Sequence, residues 1–311
     1  MNNPQSDKQD MNDALSDVFR LIRLKSCVYF QRDFFAPWGM KIGGTGFAHF
    51  HVITRGQCIV EVDGRFHTCS VGDVLFFPNG TSHTLADEPG RDAIPGSEVL
   101  ASFNEEAECF SHGEVSTRLI CGHYETRTDL THPLLADLPP FVHIKDLNLL
   151  PNATAPSVLP LLMREVAISA AGSSSIIERY AEVLLIEVLR EYSTRAPNRT
   201  GFLRGLTDRR LVRAIDRIHC DFSRPLGLDD IAESAAMSKS ALSQRFKDTT
   251  GLAPIEYLSR WRMLNAADLL QETDASVAQV SAQVGYESEI AFARAFKREF
   301  GVTPSSYRRS V

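Results

Sequence analysis

The sequence predicts an α+β protein in which a β-barrel with flanking helices comes first and an all-α domain with two helix-turn-helix motifs follows. Three observations support this fold class. The 311 residues correspond to about two domains of roughly 150 residues each. Between residues 14 and 130, short β-rich runs are broken by glycine, proline and asparagine. From residue 207 onward the pattern is helical, and it contains an internal repeat.

The same patterns divide the chain into four segments. Residues 1–13 are polar and predict a mobile tail. Residues 14–192 form the β-rich domain and the helices that follow it. Residues 193–206, which begin STRAPNRTG, have the composition of a linker. Residues 207–311 form the helical domain.

The β-rich region consists of runs such as HFHVIT, GQCIVEVDG, RFHTCSVGD and VLFFPNGTSH. Apolar and polar residues alternate in them, and turn residues recur at short intervals, as in an antiparallel barrel or sandwich. In EVDGRFH, Asp63 and Gly64 supply the two positive-φ positions of a tight turn. The sequence therefore predicts a hairpin there.

Two helices are predicted after the β-rich region, in PSVLPLLMREVAISA from Pro156 and in SSIIERYAEVLLIEVLREY from Ser174. Apolar residues of the second helix recur every three or four positions and form one stripe. Those residues are Ile177, Tyr180, Ala181, Leu184, Leu185 and Val188. Two interpretations are open, since the stripe can pack on the barrel of its own chain or form the seam of a homodimer.

Composition excludes several classes of protein. No apolar run approaches the roughly 18–20 residues that span a bilayer, and the polar N-terminus has no hydrophobic core of a signal peptide. The six cysteines include no CxxC pair, which favours thiols in a cytoplasmic protein over a disulfide framework. From Thr207 onward, 15 Lys and Arg face 14 Asp and Glu. Any contact with DNA must therefore come from local placement of side chains.

The internal repeat is the most specific feature of the chain. A shift of 50 positions aligns SKSALSQRFKDTTGLAPIEY, which begins at Ser238, with SEIAFARAFKREFGVTPSSY, which begins at Ser288. Seven of the 20 aligned positions are identical. Upstream, IAESAAM matches VSAQVGY at a shift of 49. The helical domain is therefore predicted to contain two copies of one structural unit.

Each copy has the pattern of a helix-turn-helix. A short helix, over 228–235 or 276–284, leads to a tight turn at Ala236–Met237 or Gly285–Tyr286. Ser238 or Ser288 is then placed to cap a second helix, which glycine ends and proline follows. The second helix buries Leu242 and Phe246 in one copy, and Phe292 and Phe296 in the other. Such a helix is the element that enters the major groove of DNA.

A single helix is predicted between the two copies, over 255–273. At about 1.5 Å per residue it spans roughly 27 Å. Successive segments of the major groove lie roughly 34 Å apart on one face of a duplex. The two second helices can therefore reach neighbouring groove segments.

The last 105 or so residues resemble the DNA-binding domain of the AraC/XylS family of transcription regulators. The stretches MSKSALSQRFKDTTGLAPIEYL and LLQETDASVAQVSAQVGYESEIAFARAFKREFGVTPSSYRR carry the resemblance. It implies a sequence-specific regulator, usually an activator, that binds double-stranded promoter DNA with both helix pairs. It also implies RNA polymerase and a second copy of the chain as partners. Ala236 departs from the pattern, because many members have glycine there.

The second helix of each copy offers side chains that suit base readout. The candidate base contacts are Ser240, Ser243, Gln244, Glu289, Ile290 and Arg294. Gln244 suits adenine, Arg294 suits guanine, and Ile290 can contact a thymine methyl. Glu289 suits cytosine, although an acid at a helix N-terminus is also favoured by the helix dipole. The candidate phosphate contacts are Lys239, Lys247, Lys297 and Arg298.

The β-rich domain resembles the cupin barrel, and together with the segments LSDVFRLIRLKSCVYFQRDFFAPWGM and LICGHYE it resembles the cupin-bearing branch of AraC-type regulators. The second cupin motif is matched by GDVLFFPNGTSHTLAD, at Gly72, Pro78, Gly80, His83 and Asp87. The first motif is matched more loosely, by His49 and His51 in GTGFAHFHVITRGQ. Thr54 and Arg55 stand where that motif usually has a metal-binding glutamate.

Two uses of the three histidines are open. Side chains alternate along a strand, so His49 and His51 share a face and can converge with His83 on a zinc or iron ion. Alternatively, the three are hydrogen-bonded core groups or line a pocket for a small organic effector. Cys27 and Cys121 are candidate redox thiols of an oxidant sensor, with a role as small apolar residues as the alternative. We expect the other cysteines to be structural.

These observations favour a DNA-binding transcription regulator whose first domain senses a small molecule, a metal or an oxidant. The alternatives are a cupin metalloenzyme joined to a DNA-binding domain and an adaptor that binds protein. The chain has no nucleophile elbow, phosphate loop or dinucleotide fingerprint, and Arg55 stands near the glutamate position, so we expect no enzymatic activity.

Overall fold

Two structural units make up the chain in a computed structural model, which describes residues 13–104, 110, 113–125, 137–147, 157–168, 170–195 and 201–309. The first unit is a β-sheet domain that begins at Leu24. The second is helical and contains an N-terminal helix, Asp137 and the described residues from 201 onward. The sequence-predicted tail lies outside the described residues except for Asp13.

The β unit is built on antiparallel strands that pair in the order β1-β8-β3-β6-β2, and β7 adds to β2 in parallel. β4 pairs with β3, and β5 lies between β3 and β9. The elements are β1 Lys25–Phe35, β2 Gly39–Ile42, β3 Ala48–Val62, β4 Arg65–Ser70, β5 Val74–Phe77, β6 His83–Ala86, β7 Ile94–Pro95, α2 Gly96–Asn104, β8 Val115–Glu125 and β9 Val142–Ile144.

β3 is the central strand, and it joins two runs that the sequence pattern separates. Its first half pairs with β5 and β8, and its second half pairs with β4 and β6. A register shift between Ile53 and Arg55 precedes Gly56, whose φ is 69°. A Cβ at Gly56 would lie 1.9 Å from the carbonyl oxygen of Ser116, so the bend requires glycine. HFHVIT and GQCIVEVDG therefore lie in one strand that bends at Gly56.

The interior of the β unit is mostly apolar, with some buried imidazoles, thiols and hydroxyls and the carboxylate of Asp73. Phe34, Trp38, Leu75, Phe77 and Leu119 are fully buried there. The predicted hairpin joins β3 to β4 and is confirmed, with a φ of 50° at one turn residue and 69° at the next. Both values are positive, as a type I′ turn requires.

Two helices of the β unit, α3 Leu159–Ile168 and α4 Ser173–Arg195, follow the strands. The apolar stripe of α4 packs on the sheet of its own chain. The Ser26 hydroxyl donates to the carbonyl of Glu178 at 2.6 Å, and the Tyr124 hydroxyl donates to that of Ala181 at 2.7 Å. Intramolecular packing therefore buries most of the stripe and leaves Ile177 and Tyr180 half-buried, and a homodimer seam stays a prediction.

The helical unit contains α1 Ala14–Ile22, α5 Phe202–Gly205, α6 Arg209–Asp221, α7 Leu228–Ser234, α8 Lys239–Thr250, α9 Pro254–Glu272, α10 Val277–Gln283, α11 Glu289–Phe300 and α12 Pro304–Arg309. α9 contacts the helices of both repeat copies. Aromatic rings form much of the interior, and among them Phe246 and Phe296 are fully buried.

Two predicted boundaries differ from the structure. The sequence pattern assigns residues from Ala14 to the β-rich domain, but Ala14–Ile22 is a helix that packs on α6 and α9. The reason is its apolar face, which buries Ala14, Val18, Leu21 and Ile22.

The predicted linker over 193–206 is also partly wrong. α4 continues to Arg195, residues 196–200 lie outside the described part, and α5 occupies Phe202–Gly205. Phe202 is buried and stacks on Tyr257, with ring centroids 5.7 Å apart. Its amide also donates to Asp137 at 3.0 Å. An apolar side chain therefore anchors a segment whose composition resembles a linker.

Across the described part of the chain, no helix has the length and apolar character needed to cross a bilayer.

Candidate functional site

The second helices of the two copies, α8 and α11, have the same length and the same caps. Each has 12 residues. The hydroxyl of Ser238 accepts the amide of Ala241 at 3.3 Å, and that of Ser288 accepts the amide of Ala291 at 3.3 Å. Gly251 and Gly301 end the helices with φ of 81° and 75°. Both predicted caps and both predicted ends are confirmed, so each serine and glycine pair fixes where a helix begins and ends.

The first helices and their turns also follow the predicted plan. α7 ends one residue before the predicted end, and α10 is one residue shorter at each end than the pattern predicts. The two helices bury Ile231 and Val280. Ala236 and Gly285 occupy the turns with φ of 50° and 80°. Ala236 therefore adopts the left-handed conformation that strains a residue with a side chain.

Burial separates an inner from an outer face on both second helices. Leu242, Phe246, Phe292 and Phe296 are fully buried, as predicted. The outer face carries the candidate base contacts Ser240, Gln244, Glu289, Ile290 and Arg294, which are exposed, and Ser243, which is half-buried. Ile290 is 68% exposed. The two outer faces are therefore free to contact another molecule.

The candidate phosphate contacts are exposed as well, and one of them already has an acidic partner. Lys239, Lys247, Lys297 and Arg298 are exposed. Lys239 pairs with Asp229 at 2.9 Å, an arrangement that a phosphate group can replace because both side chains are exposed.

Reasoning from the sequence missed two residues near the predicted reading face, Asp248 and Arg245. The amide nitrogen of Gln244 donates to both carboxylate oxygens of Asp248, at 2.8 and 2.9 Å. Arg245 donates to Asp208, the residue that caps α6. The spacing of four residues between Gln244 and Asp248 was a signal for the first contact. No local pattern indicates the second, because its partners are 37 positions apart.

The β unit brings His51, His83 and Cys121 together in its interior. The Nε2 atoms of His51 and His83 are 2.8 Å apart, and Nδ1 of His51 is 3.0 Å from the sulfur of Cys121. Nδ1 of His83 donates to the carbonyl of Thr81 at 2.7 Å. Neutral His83 must then accept at Nε2 from His51, which in turn accepts from the Cys121 thiol. One chain of hydrogen bonds therefore satisfies all three side chains.

The pKa shifts of His51, His83 and Cys121 agree with this pattern of hydrogen bonds. Burial lowers the pKa of His83 to about 4 and places that of His51 well below its usual value. Burial also raises the pKa of the Cys121 thiol. Each group is therefore neutral near pH 7.

His49 does not take part in the hydrogen bonds that link His51, His83 and Cys121. Its Nε2 is 2.7 Å from the hydroxyl of Thr45, and its ring centroid is 6.2 Å from that of His83. Among the described residues, His49, His51 and His83 do not form a group with one donor atom each within 4.8 Å of one another. In this structure His51 and His83 contact each other, and His49 contacts Thr45. At the glutamate position of the motif, Thr54 donates to the carbonyl of Arg118 at 3.2 Å.

Cys27 and Cys121 lie on neighbouring strands, two ladder positions apart. Cys27 pairs with His123, and Cys121 pairs with Phe30. Cys27 is exposed and Cys121 is buried. Burial raises the pKa of both thiols, and the raised values disfavour the reactive thiolate.

An aromatic group near Cys27 was not found from the sequence. The ring of His123 stacks on Tyr29 with centroids 4.9 Å apart. The ring centroid of Phe47 is also 4.9 Å from that of His123, and the planes of these two rings are tilted relative to each other. Nε2 of His123 is 3.0 Å from Glu125. Its Nδ1 is buried and finds no hydrogen-bond partner among the described residues. Tyr29 and Phe47 are 37% and 42% exposed, so this aromatic group is open to a ligand.

Comparisons with known proteins agree with both units. A cupin family model matches residues 13–194, and a helix-turn-helix domain model matches residues 231–310. A putative AraC-like transcription regulator of Streptomyces lividans is 33% identical over 96% of this chain and 98% of its own length. The RCS-specific HTH-type transcriptional activator RclR of Escherichia coli is 25% identical over 92% of each chain.

A solved structure of the DNA-binding domain of AdpA in complex with a target DNA is 29% identical. The match covers 33% of the present chain and 92% of the AdpA chain, with a TM-score of 0.32. The relatives are named as transcription regulators. The chain therefore belongs to the AraC family of DNA-binding transcription regulators, and it carries a cupin domain before its helix-turn-helix domain.

Proposed function

We propose that the chain is a transcription activator that reads a promoter site with the outer faces of α8 and α11, and that its β unit responds to an effector. The observation that carries this proposal is the pair of equally long, identically capped helices whose outer faces are exposed. Contact with RNA polymerase and association with a second copy of the chain belong to the same proposal.

Base readout is assigned to the outer-face residues and positioning to the basic ones. Gln244 must release Asp248 to contact a base, because its amide nitrogen is occupied by that carboxylate. Arg294 has a guanidinium that can donate two bonds to guanine. Lys247 and Lys297 occupy equivalent positions in the two copies and contact phosphates, which orient the helices without specifying the base.

We assign the effector to the aromatic group formed by Tyr29, Phe47 and His123. Two partly exposed aromatic rings offer stacking surface, and beside them the buried Nδ1 of His123 has no hydrogen-bond partner among the described residues. Such a site suits a small, flat organic molecule with a polar group at its edge.

An oxidant is the second candidate effector. The observation in its favour is that Cys27 and Cys121 are two ladder positions apart on paired strands, with one of the thiols exposed. The relative from E. coli is named an RCS-specific activator. Exposure to peroxide or hypochlorite, followed by mapping of disulfides in the full chain, tests this candidate.

Selection of DNA from a random duplex pool by the full-length chain tests the readout. We expect enrichment of one sequence with two recognition segments, one for each second helix. The variant Gln244→Ala with Arg294→Ala is expected to lose this enrichment while it keeps weak, salt-dependent binding. Retention of the same enriched sequence by that variant would exclude readout by these helices. A reporter gene under the selected site then distinguishes activation from repression.

A further inference from the structure

A second group of ligand-type side chains lies in the β unit, apart from the three histidines of the cupin motifs. Cys69 is on β4, Asp73 is in the turn before β5, and His143 is on β9. One donor atom from each residue lies within 4.8 Å of the other two. Cys69 is fully buried, and the side chains of Asp73 and His143 are 8% and 12% exposed. Three segments of the chain therefore bring a thiol, a carboxylate and an imidazole together at one largely buried position.

The backbone holds this group in place. One carboxylate oxygen of Asp73 accepts the amide of Asp146 at 2.9 Å, and the other accepts that of Ser70 at 3.0 Å. The amide of Leu147 donates to the carbonyl of Gly72 at 3.0 Å, which fixes the end of β9 against the same turn. His143 pairs with Leu75 in the β5–β9 ladder. Outer hydrogen bonds of this kind orient the ligands of metal sites.

Charge favours a divalent cation over a proton as the shared partner. A thiolate at Cys69 and a carboxylate at Asp73 carry two negative charges, and buried charges need compensation. In the absence of a metal, the His143 imidazole is the positively charged group among the described residues that interacts with Cys69, and it supplies one positive charge. Cys58 pairs with Cys69 across β3 and β4, and the Cys69 thiol donates to the carbonyl oxygen of His67 at 3.5 Å, a proton that a bound metal ion would replace.

We propose that Cys69, Asp73 and His143 bind one zinc-class divalent ion that links β4, the following turn and β9. Mixed sulfur, nitrogen and oxygen donors suit zinc or cobalt and disfavour magnesium or calcium. Nε2 of His143 and the nearer oxygen of Asp73 are 2.8 Å apart. Around a tetrahedral zinc ion with bonds of about 2.0–2.1 Å the same two atoms sit about 3.3 Å apart, so binding requires a separation of roughly half an ångström.

Titration of the reduced full-length chain with Co²⁺ tests this site directly. We expect one equivalent to bind with a thiolate-to-cobalt charge-transfer band, which one equivalent of Zn²⁺ then removes by displacement. A site built only from the histidines of the cupin motifs gives no such band, because it has no thiolate. The readout does not involve DNA, so its failure leaves the proposed regulatory function untouched.

Two variants and a matched control complete the test. Cys69→Ser is expected to abolish the charge-transfer band, and His143→Ala is expected to weaken Co²⁺ binding by at least about 100-fold, since loss of even an outer-shell partner costs 10–100-fold. His67→Ala, which removes a neighbouring histidine of β4 that is outside the group, is expected to leave binding unchanged. Folding of each variant is checked by circular dichroism. Absence of the band from the natural chain, or its persistence in Cys69→Ser, would overturn the proposal.

Discussion

His219 lies face to face with Trp261, with ring centroids 3.7 Å apart and planes inclined by 5°. Its Nε2 accepts a hydrogen bond from the hydroxyl of Tyr257 at 2.7 Å, and its Nδ1 donates to Asp17 at 3.3 Å. The imidazole is fully buried. A single neutral histidine therefore connects the N-terminal helix α1 to the interior of the helical unit.

Asp17→Ala is expected to destabilise the helical unit, because it leaves the buried Nδ1–H of His219 without an acceptor. The expected loss is about 1–3 kcal/mol. The chain has two tryptophans, Trp38 in the β unit and Trp261 in the helical unit, so a Trp38→Phe background makes urea unfolding of the helical unit visible by fluorescence. Arg20→Ala, which removes an exposed ion pair of the same helix, is expected to change stability by less than about 1 kcal/mol. Equal losses in the two variants would contradict the role of the buried bond.

Stability of the helical unit is expected to decrease as the pH falls below 6.5. Burial lowers the pKa of His219 below that ordinary value, although Asp17 opposes the shift. The unfolded chain therefore binds the proton more readily, so the contribution is present above pH 6.5 and is lost on acidification. The pKa of Asp17 is also lowered, despite its burial, because His219 and Arg20 stabilise the carboxylate, and its contribution is lost in the same direction at lower pH.

Unfolding measured at pH 7.5 and 5.5 checks this prediction. One additional proton corresponds to a slope of at most about 1.4 kcal/mol per pH unit. His219→Gln removes the titrating group, so its stability is expected to fall less between the two pH values than that of the parent chain. A variant with the parent's pH dependence would show that other groups cause the effect.

The two turns of the helix pairs are expected to respond oppositely to exchange of alanine and glycine. Ala236→Gly relieves left-handed strain and is expected to stabilise the chain by about 0.5–1 kcal/mol, since the gain of 1–2 kcal/mol is partly offset by the greater freedom of glycine when unfolded. Gly285→Ala is expected to cost at least about 2 kcal/mol, because its Cβ would lie 2.7 Å from the carbonyl oxygen of Phe222.

Gly251→Ala is the matched control for steric contact. Its φ of 81° is similar to that of Gly285, but no atom of the described chain outside its immediate neighbours lies within 4 Å of an added Cβ. We expect a loss of about 1 kcal/mol from backbone strain alone. Thermal or urea unfolding of the three variants orders them, and a Gly285→Ala loss no larger than that of Gly251→Ala would be inconsistent with the contact.

Readout and phosphate contact are expected to separate in binding experiments on the selected DNA. Arg294→Ala is expected to weaken binding by about 1–3 kcal/mol and to relax preference at one base pair. Lys247→Ala is expected to weaken binding to all sequences alike and to lower the salt slope by about one. Affinities measured at several salt concentrations on the site and on single-base variants check both. Relaxed preference in the lysine variant would reverse the assignment.

Alkylation of the native chain is expected to distinguish the two candidate redox thiols. Cys27 is exposed and should react with iodoacetamide. Cys121 is buried and in hydrogen-bond contact with His51, so it should react only after unfolding. Peptide mapping by mass spectrometry reports both, with the exposed Cys220 as the internal reference. Reaction of Cys121 at the rate of Cys27 would contradict its place in the interior.

Much of the helical unit follows from local sequence. Ser238 and Ser288 begin the second helices, Gly251 and Gly301 end them, and the apolar spacing selects the buried faces. These features depend on side chains that act within a turn or two of their own backbone, so a linear pattern reveals them. The 50-residue repeat made the inference stronger, because two copies show the same physical plan.

Contacts between distant residues decided the rest. The sequence placed α1 with the β-rich domain, yet Asp17 and His219, which are 202 positions apart, attach it to the helical unit. Likewise, the sequence left open whether the histidines of the cupin motifs converge on a metal or form hydrogen-bonded core groups, and the fold binds two of them to each other and to Cys121. The sequence alone determined the two-domain order and the two repeated helix pairs, since these depend on short-range periodicity and caps, and its motifs carried the resemblance to the family. Only the tertiary structure decided which buried polar groups meet, because a hydrogen bond depends on atoms within about 3 Å and not on spacing along the chain.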